Sequence, residues 1–403
     1  MDPMEQLPGL GHDPNRREWL KRSALLAASL TVLPDLFAGP RGSHSVEQPL
    51  FSTNEMVGNL PLPANAVLLG SNENPYGISP KARQAVMDAL GQANRYGFNG
   101  PNSQQLLQSI ADKDGVAKES ILMTAGSSEV LGIAGTFITY LGKSKGNVVF
   151  PWPTFSLMAD HFVKLGVEVT KVPLTSDKMH DLPQMLAKMD RKTKMVYVCN
   201  PNNPTGTLLK PSVVRDFCIE ASKKAYVMVD EAYIDFLNLP DNESMSSLIA
   251  NNPKIIISRT FSKIYAMAGL RTGYALAHPD TIKALEPLRH GGALAVSNTS
   301  TAAALASMQD TAFAQMSKDK NAIARTYVQE ELGKMKIQYI PSYTNFVYFS
   351  IANYTSDFVK DMQRQNIYLR QWDDYGTKWG RVSIGTLDEM QLFVRALRQL
   401  MPS

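Results

Sequence analysis

The chain has 403 residues, 44% hydrophobic and 19% charged, with 41 Lys and Arg against 37 Asp and Glu for a net charge of +4. This is the composition of an ordinary globular protein long enough for two domains, and it excludes disordered and fibrous classes. The small, dispersed charge gives no argument for nucleic acid as a partner.

In chain order, the first feature is Asn15 to Lys21, which carries the pair Arg16-Arg17 with Trp19 and Leu20. An apolar run from Ala24 to Leu33 and then Phe37-Ala-Gly39 follow. A basic segment, a short apolar segment and small residues read as an export signal over 1–40, and the paired arginines resemble the twin-arginine type. The apolar run is too short to span a bilayer comfortably, so no stable membrane insertion is expected after signal removal. The expected location is the periplasm; without a working signal the chain would stay in the cytoplasm. Residues 41–80 read as a polar linker and N-terminal arm.

Helices are predicted over 80–90, 103–112 and 130–140, the first opened by Pro80 at the position where proline is tolerated. Short apolar strands are predicted over 121–124, 147–150, 167–172, 195–199, 225–229, 254–258 and 274–277. This alternation implies an α/β fold with a mixed, mostly parallel sheet between helices, assigned to 81–298. A long helical stretch over 301–332 and strands over 338–340, 345–350, 367–370 and 381–384 read as a smaller α+β domain over 299–403.

The polar motifs fall just after strands, where open α/β sheets bind ligands. Gly126-Ser127-Ser128 opens a helix and suits an anionic phosphate, although any N-cap has a similar appearance. Phe155 could stack on a flat ring. Asn203 could donate to a ring oxygen, though Asn-Pro and Thr-Gly are also plain turn chemistry. Asp230 follows four apolar strand residues, where a carboxylate is costly unless it meets a cation. Tyr233 lies three residues on. Lys263 stands past the next strand with Thr260, Ser262 and Arg271, and neighbouring cations in a partly dry pocket would suppress its charge. Together these are the parts of a pyridoxal phosphate site: an imine-forming lysine, a carboxylate for the ring nitrogen, ring-oxygen donors, a stacking ring and a phosphate cup. Cys199 and Cys218 form no disulfide framework, and the six histidines show no metal-ligand spacing.

From Asn72 onward the chain resembles fold-type-I pyridoxal-phosphate aminotransferases of class I/II. It is most similar to the histidinol-phosphate aminotransferase group. Asn72-Glu-Asn-Pro-Tyr-Gly, Gly126-Ser-Ser-Glu, Asn200-Pro-Asn-Asn-Pro-Thr-Gly, Asp230-Glu-Ala-Tyr, Arg259-Thr-Phe-Ser-Lys, Thr344-Asn-Phe and Gly380-Arg-Val-Ser-Ile-Gly-Thr carry the resemblance in family order. It implies a transaminase that moves an amino group between an amino acid and a 2-oxo acid by a ping-pong cycle. Lys263 would attach the cofactor, and Asp230 would pair with the ring nitrogen. Asn203 and Tyr233 would meet the ring hydroxyl, and Phe155 would stack. Ser127, Ser128, Thr260 or Ser262, and Arg271 would hold the phosphate. Tyr96 would reach the cofactor phosphate of the neighbouring subunit, which implies a homodimer with shared sites. Arg381 would bind the substrate carboxylate, with Asn72, Tyr76 and Asn345 also on the substrate side.

Two departures bear on substrate. Ser128 stands where the group usually has an acidic residue, and 288–298 lacks its usual Pro-rich segment. An export signal also fits poorly with histidine biosynthesis, so a free amino acid or derivative is the expected substrate. Decarboxylation, β-elimination, racemisation or cyclisation on the same fold is the alternative chemistry. A sensor would need an added DNA-binding domain, and a binding protein would need no cofactor lysine.

Overall fold

The computed structural model of the protein describes residues 62–97, 100–142, 146–238, 243–289 and 296–402. The export signal, most of the expected arm and residues 290–295 lie outside the described residues.

Thirteen strands run in chain order among the described residues. They are β1 (Val67–Leu68), β2 (Ile121–Thr124), β3 (Asn147–Trp152), β4 (Glu168–Pro173), β5 (Thr193–Cys199), β6 (Tyr226–Asp230) and β7 (Ile255–Thr260). The remainder are β8 (Gly273–Ala277), β9 (Tyr339–Ile340), β10 (Phe346–Ser350), β11 (Ile367–Tyr368), β12 (Arg370–Asp374) and β13 (Thr377–Ser383). Helices α1 (Pro80–Leu90), α2 (Pro101–Asp114), α3 (Ser127–Gly142), α4 (Leu157–Lys164), α5 (Leu182–Lys188) and α6 (Pro211–Ser222) intersperse the first half. The second half holds α7 (Pro279–Leu285), α8 (Asn298–Gln309), α9 (Thr311–Lys334), α10 (Phe358–Arg364) and α11 (Leu387–Leu400).

Seven strands form the large sheet in the order β2-β8-β7-β6-β5-β3-β4. Only β8 runs against its neighbours, so the sheet is mixed and mostly parallel, as expected. Its central strands are apolar and β-branched because helices cover both faces. All six residues of β7 are buried. One core cluster on this sheet holds Val198, Val229 and Ile257, and a second holds Tyr197, Met228 and Ile256. Alternate residues of a strand thus feed opposite layers.

The smaller sheet, β12-β13-β10-β9, is antiparallel throughout. Two features differ from the sequence reading. The long helix is two, α8 and α9, meeting at Asp310, whose ψ of 62° leaves the helical region. Asp310 is buried and faces Lys81 at 3.9 Å, and aspartate readily abandons helical geometry for local polar contacts. Ala303, Ala304 and Leu305 of α8 join a core cluster of the large sheet.

The expected strand at 367–370 divides. β11 pairs with β1, placing Val67 and Leu69 of the expected linker in the small-domain core. β12 turns into β13 through Tyr375 and Gly376, both at positive φ (56° and 72°), the backbone a two-residue hairpin turn demands. Tyrosine is an unusual residue there, which hid the hairpin.

Candidate active site

The carboxyl ends of β5, β6 and β7 converge on one polar cluster. Asp230 closes β6 and is 3% exposed. Its carboxylate accepts from the Tyr197 hydroxyl at 2.9 Å and from the Ala232 N–H at 3.2 Å. Burial pushes the Asp230 carboxyl up to about 6, against those two hydrogen bonds and the Lys263 charge. A buried carboxylate this raised is poised for a cation.

Behind it, Glu231 accepts from Arg259 at 3.1 Å, and Arg259 also pairs with Asp114 at 2.9 Å. This buried ion triad ties the end of β6 to β7 on the face opposite Asp230.

Lys263 lies three residues beyond β7. Its Nζ donates to the carbonyls of Ser71 at 3.3 Å and Asn72 at 3.2 Å. Burial pushes its ammonium down to about 8, helped by Arg381 and Arg271 and opposed by Glu73 and Asp230.

One hydrogen-bonded chain joins the neighbouring side chains. Asn72 Nδ2 donates to the Tyr233 hydroxyl at 3.0 Å, and Asn203 Nδ2 donates to the same oxygen at 3.3 Å. Arg381 Nη1 donates to Asn203 Oδ1 at 2.6 Å, and its Nη2 to the Gly70 carbonyl at 2.8 Å. Burial lowers the Arg381 guanidinium to about 10. Its carbon lies 4.8 Å from the Trp372 ring centre and 5.3 Å from that of Phe346. Its buried Nε has no hydrogen-bond partner among the described residues. Burial also raises the Tyr233 hydroxyl well above its usual range. The Tyr233 ring meets Phe346 of β10 edge-on at 5.2 Å, joining the loop after β6 to the small domain.

The residues expected to hold a phosphate gather at the start of α3. Gly126 has φ of +93°, and a Cβ there would sit 2.5 Å from Arg271 Nη2. The absent side chain is what lets the guanidinium reach the helix N-terminus. Arg271 itself donates to the Ala268 and Ala125 carbonyls at 2.9 and 3.2 Å. Ser127 and Ser128 open α3, half-buried. Thr260 donates to Ser262 Oγ at 2.9 Å, so these two hydroxyls stand together before Lys263.

Asn345 Nδ2 donates to the Asn72 carbonyl at 2.9 Å, and Tyr76 is half-buried on the same loop as Asn72. Phe155 packs half-buried against one of the large-sheet cores. Tyr96 is not gathered in: it lies on the surface, 80% exposed.

Sequence reasoning missed Tyr197, which a strand alternation places on the Asp230 side, and Ser383, whose hydroxyl accepts from the Asn72 N–H at 2.8 Å. It also missed Arg370, directly across the ladder from Arg381. Like charges opposed on a ladder are unfavourable, and that is the signal a hairpin assignment would have exposed.

The sequence matches the aminotransferase class I and II family over residues 64–397. The chain belongs to that family. The histidinol-phosphate aminotransferase of Halalkalibacterium halodurans is 33% identical over 339 residues, covering 83% of this chain and 89% of the relative. That of Moorella thermoacetica is 32% identical, covering 84% and 86%. The crystal structure of histidinol-phosphate aminotransferase from Sinorhizobium meliloti in complex with pyridoxal 5′-phosphate superposes with a TM-score of 0.75. Its identity is 27%, covering 83% of this chain and 90% of that one. The fold is the fold-type-I aminotransferase architecture, and the protein is a pyridoxal-phosphate-dependent aminotransferase. The residues present fit the cofactor on two counts: the buried Asp230 carboxyl suits a cationic ring nitrogen, and the missing side chain at Gly126 lets the Arg271 guanidinium stand at the start of α3, where an anion would bind.

Proposed function

We propose that this aminotransferase works as an exported homodimer on a free amino acid or amino-acid derivative, whose carboxylate docks on Arg381. The observation that carries this reading is one hydrogen-bonded network, Asn72–Tyr233–Asn203–Arg381, which joins the Lys263 side of the site to a buried guanidinium.

When bound, pyridoxal phosphate supplies an aldehyde that takes up nitrogen and a ring that accepts the electrons left by Cα–H cleavage. In this reading Asp230 keeps the ring nitrogen protonated, and Asn203 and Tyr233 hold the ring oxygen. Phe155 covers the ring, while Ser127, Ser128, Thr260, Ser262 and Arg271 hold the phosphate. Lys263 attaches the cofactor through Nζ. When substrate displaces it, its amine would take the proton released at Cα; an amine lowered to about 8 suits that base near neutral pH. Arg381 orients the carboxylate bidentately, with Arg370 opposite adding positive charge. Asn72, Tyr76 and Asn345 border the substrate.

Sharing of sites between two copies is supported by Tyr96, Met87 and Leu90, which are 80%, 61% and 52% exposed on α1 and the turn after it. Export is supported by Arg16-Arg17 and the apolar run that follows. Export also argues for a substrate other than the histidinol phosphate named for the relatives.

The test is a single turnover with an amino donor and no acceptor. Release of one 2-oxo acid per subunit, with the nitrogen kept on the enzyme, supports transamination; continued turnover without an acceptor refutes it. A donor panel that includes histidinol phosphate decides the substrate. Loss of export in a fusion carrying Arg16→Lys and Arg17→Lys supports the twin-arginine route.

A further inference from the structure

Three buried oxygens beside the site have no hydrogen-bond partner among the described residues: Ser317 Oγ, Asn321 Oδ1 and Asn345 Oδ1. Their residues are 1%, 6% and 2% exposed. All three line one small cavity of about 10 Å³, walled also by Tyr76, Phe236 and Ile384. Ser317 and Asn321 stand four residues apart on α9, hence on one face. Farther along α9 the buried positions include Ala324, Val328 and Leu332. Two polar groups in such a stripe are costly unless something polar joins them.

Donor and acceptor counts select the occupant. The Asn321 and Asn345 oxygens can only accept, and their amide nitrogens are engaged as donors to the Thr344 carbonyl at 3.2 Å and the Asn72 carbonyl at 2.9 Å. The Ser317 hydroxyl can donate. A species with two donors and one accepting site, in a space of about 10 Å³, is a water molecule.

We infer that a structural water occupies this cavity, donating to Asn321 and Asn345 and accepting from Ser317, and that Ser317 and Asn321 thereby position Lys263. Asn345 grips the Asn72 carbonyl, and that carbonyl receives the Lys263 Nζ at 3.2 Å. Ser317 and Asn321 are positioning residues that act through Asn345. Their effect on turnover rests on Lys263 being the reactive lysine, as proposed above.

A high-resolution crystal structure of the wild-type holoenzyme should show one water within hydrogen-bond distance of all three oxygens; a dry cavity overturns the inference. Ser317→Val removes the hydroxyl that donates to the water, whereas the nearly isosteric Ser317→Thr keeps a hydroxyl at the same volume. The valine variant should lose the water, shift the pH midpoint of the bound cofactor's absorbance and lower kcat several-fold at unchanged KM. Threonine should restore all three. Loss of the water with an unmoved midpoint and kcat overturns the positioning role. Should the valine variant fail to fold, Ser317→Ala carries the same readouts. Lys263→Ala separates the two claims: a visible cofactor band that survives in it defeats the proposed role of Lys263, while the wild-type density still decides the water.

Discussion

The side-chain amide of Asn72 donates to the Tyr233 hydroxyl at 3.0 Å while its Oδ1 accepts from Ser383 Oγ, also at 3.0 Å. One asparagine, held at φ of +53°, thus clasps the loop after β6 to β13 of the small domain. Its carbonyl meanwhile receives Lys263. Few other residue types tolerate that backbone and offer both a donor and an acceptor.

Asn72→Ala should therefore disturb Tyr233, Ser383 and Lys263 together. Leaving buried partners unpaired costs about 1–3 kcal/mol, or roughly five- to two-hundred-fold in kcat/KM. Steady-state kinetics with a fixed acceptor check this; a wild-type value would mean the clasp is dispensable.

Asp230 makes opposite predictions with and without cofactor. Its folded pKa, about 6, lies above its ordinary value, so its favourable contribution is complete in acid and is lost as pH rises through 6. Asp230→Asn should leave the melting temperature of the cofactor-free protein unchanged near pH 4 and raise it near pH 8. The relieved penalty is about 3 kcal/mol. The same substitution should weaken cofactor binding, because it removes the counter-charge proposed for the ring nitrogen. Melting curves of both forms across pH decide the point.

Lys263, lowered to about 8, contributes in the reverse sense: stability is present in alkali and is lost as pH falls through 8. Lys263→Met should stabilise the cofactor-free protein at pH 7 and abolish turnover. In the wild type, the rate at which added cofactor gains its visible band should climb with pH and level off above about 8, as the free amine becomes available. Stopped-flow absorbance measures it.

Gly126→Ala should spoil the phosphate cup. The new Cβ would lie 2.5 Å from Arg271 Nη2 at a φ of +93° that alanine resists. Strain of about 1–3 kcal/mol predicts a roughly five- to two-hundred-fold rise in the cofactor dissociation constant, read by absorbance titration. The KM for amino donor at saturating cofactor should change little.

The chain's own pattern carried the α/β layers, because short β-branched runs between amphipathic stretches have few other ways to bury themselves. It also singled out Lys263, Asp230, Asn203, Tyr233 and Arg271 as candidates, since their residue types stand in the loops beside strand ends. Tertiary structure alone decided how they are joined. Tyr197 reads locally as one more buried strand residue, and its bond to Asp230 exists only because β5 and β6 pair in register. Asn72 and Ser383 are 311 positions apart, and no local rule links a loop polar residue to a strand serine at that separation. Arg370 and Arg381 became opposed only through the hairpin at Tyr375 and Gly376. Residue chemistry is written along the chain. Proximity depends on the packing of distant segments, and that packing is where the two opposed arginines, the raised carboxylate and the lowered lysine acquire their properties.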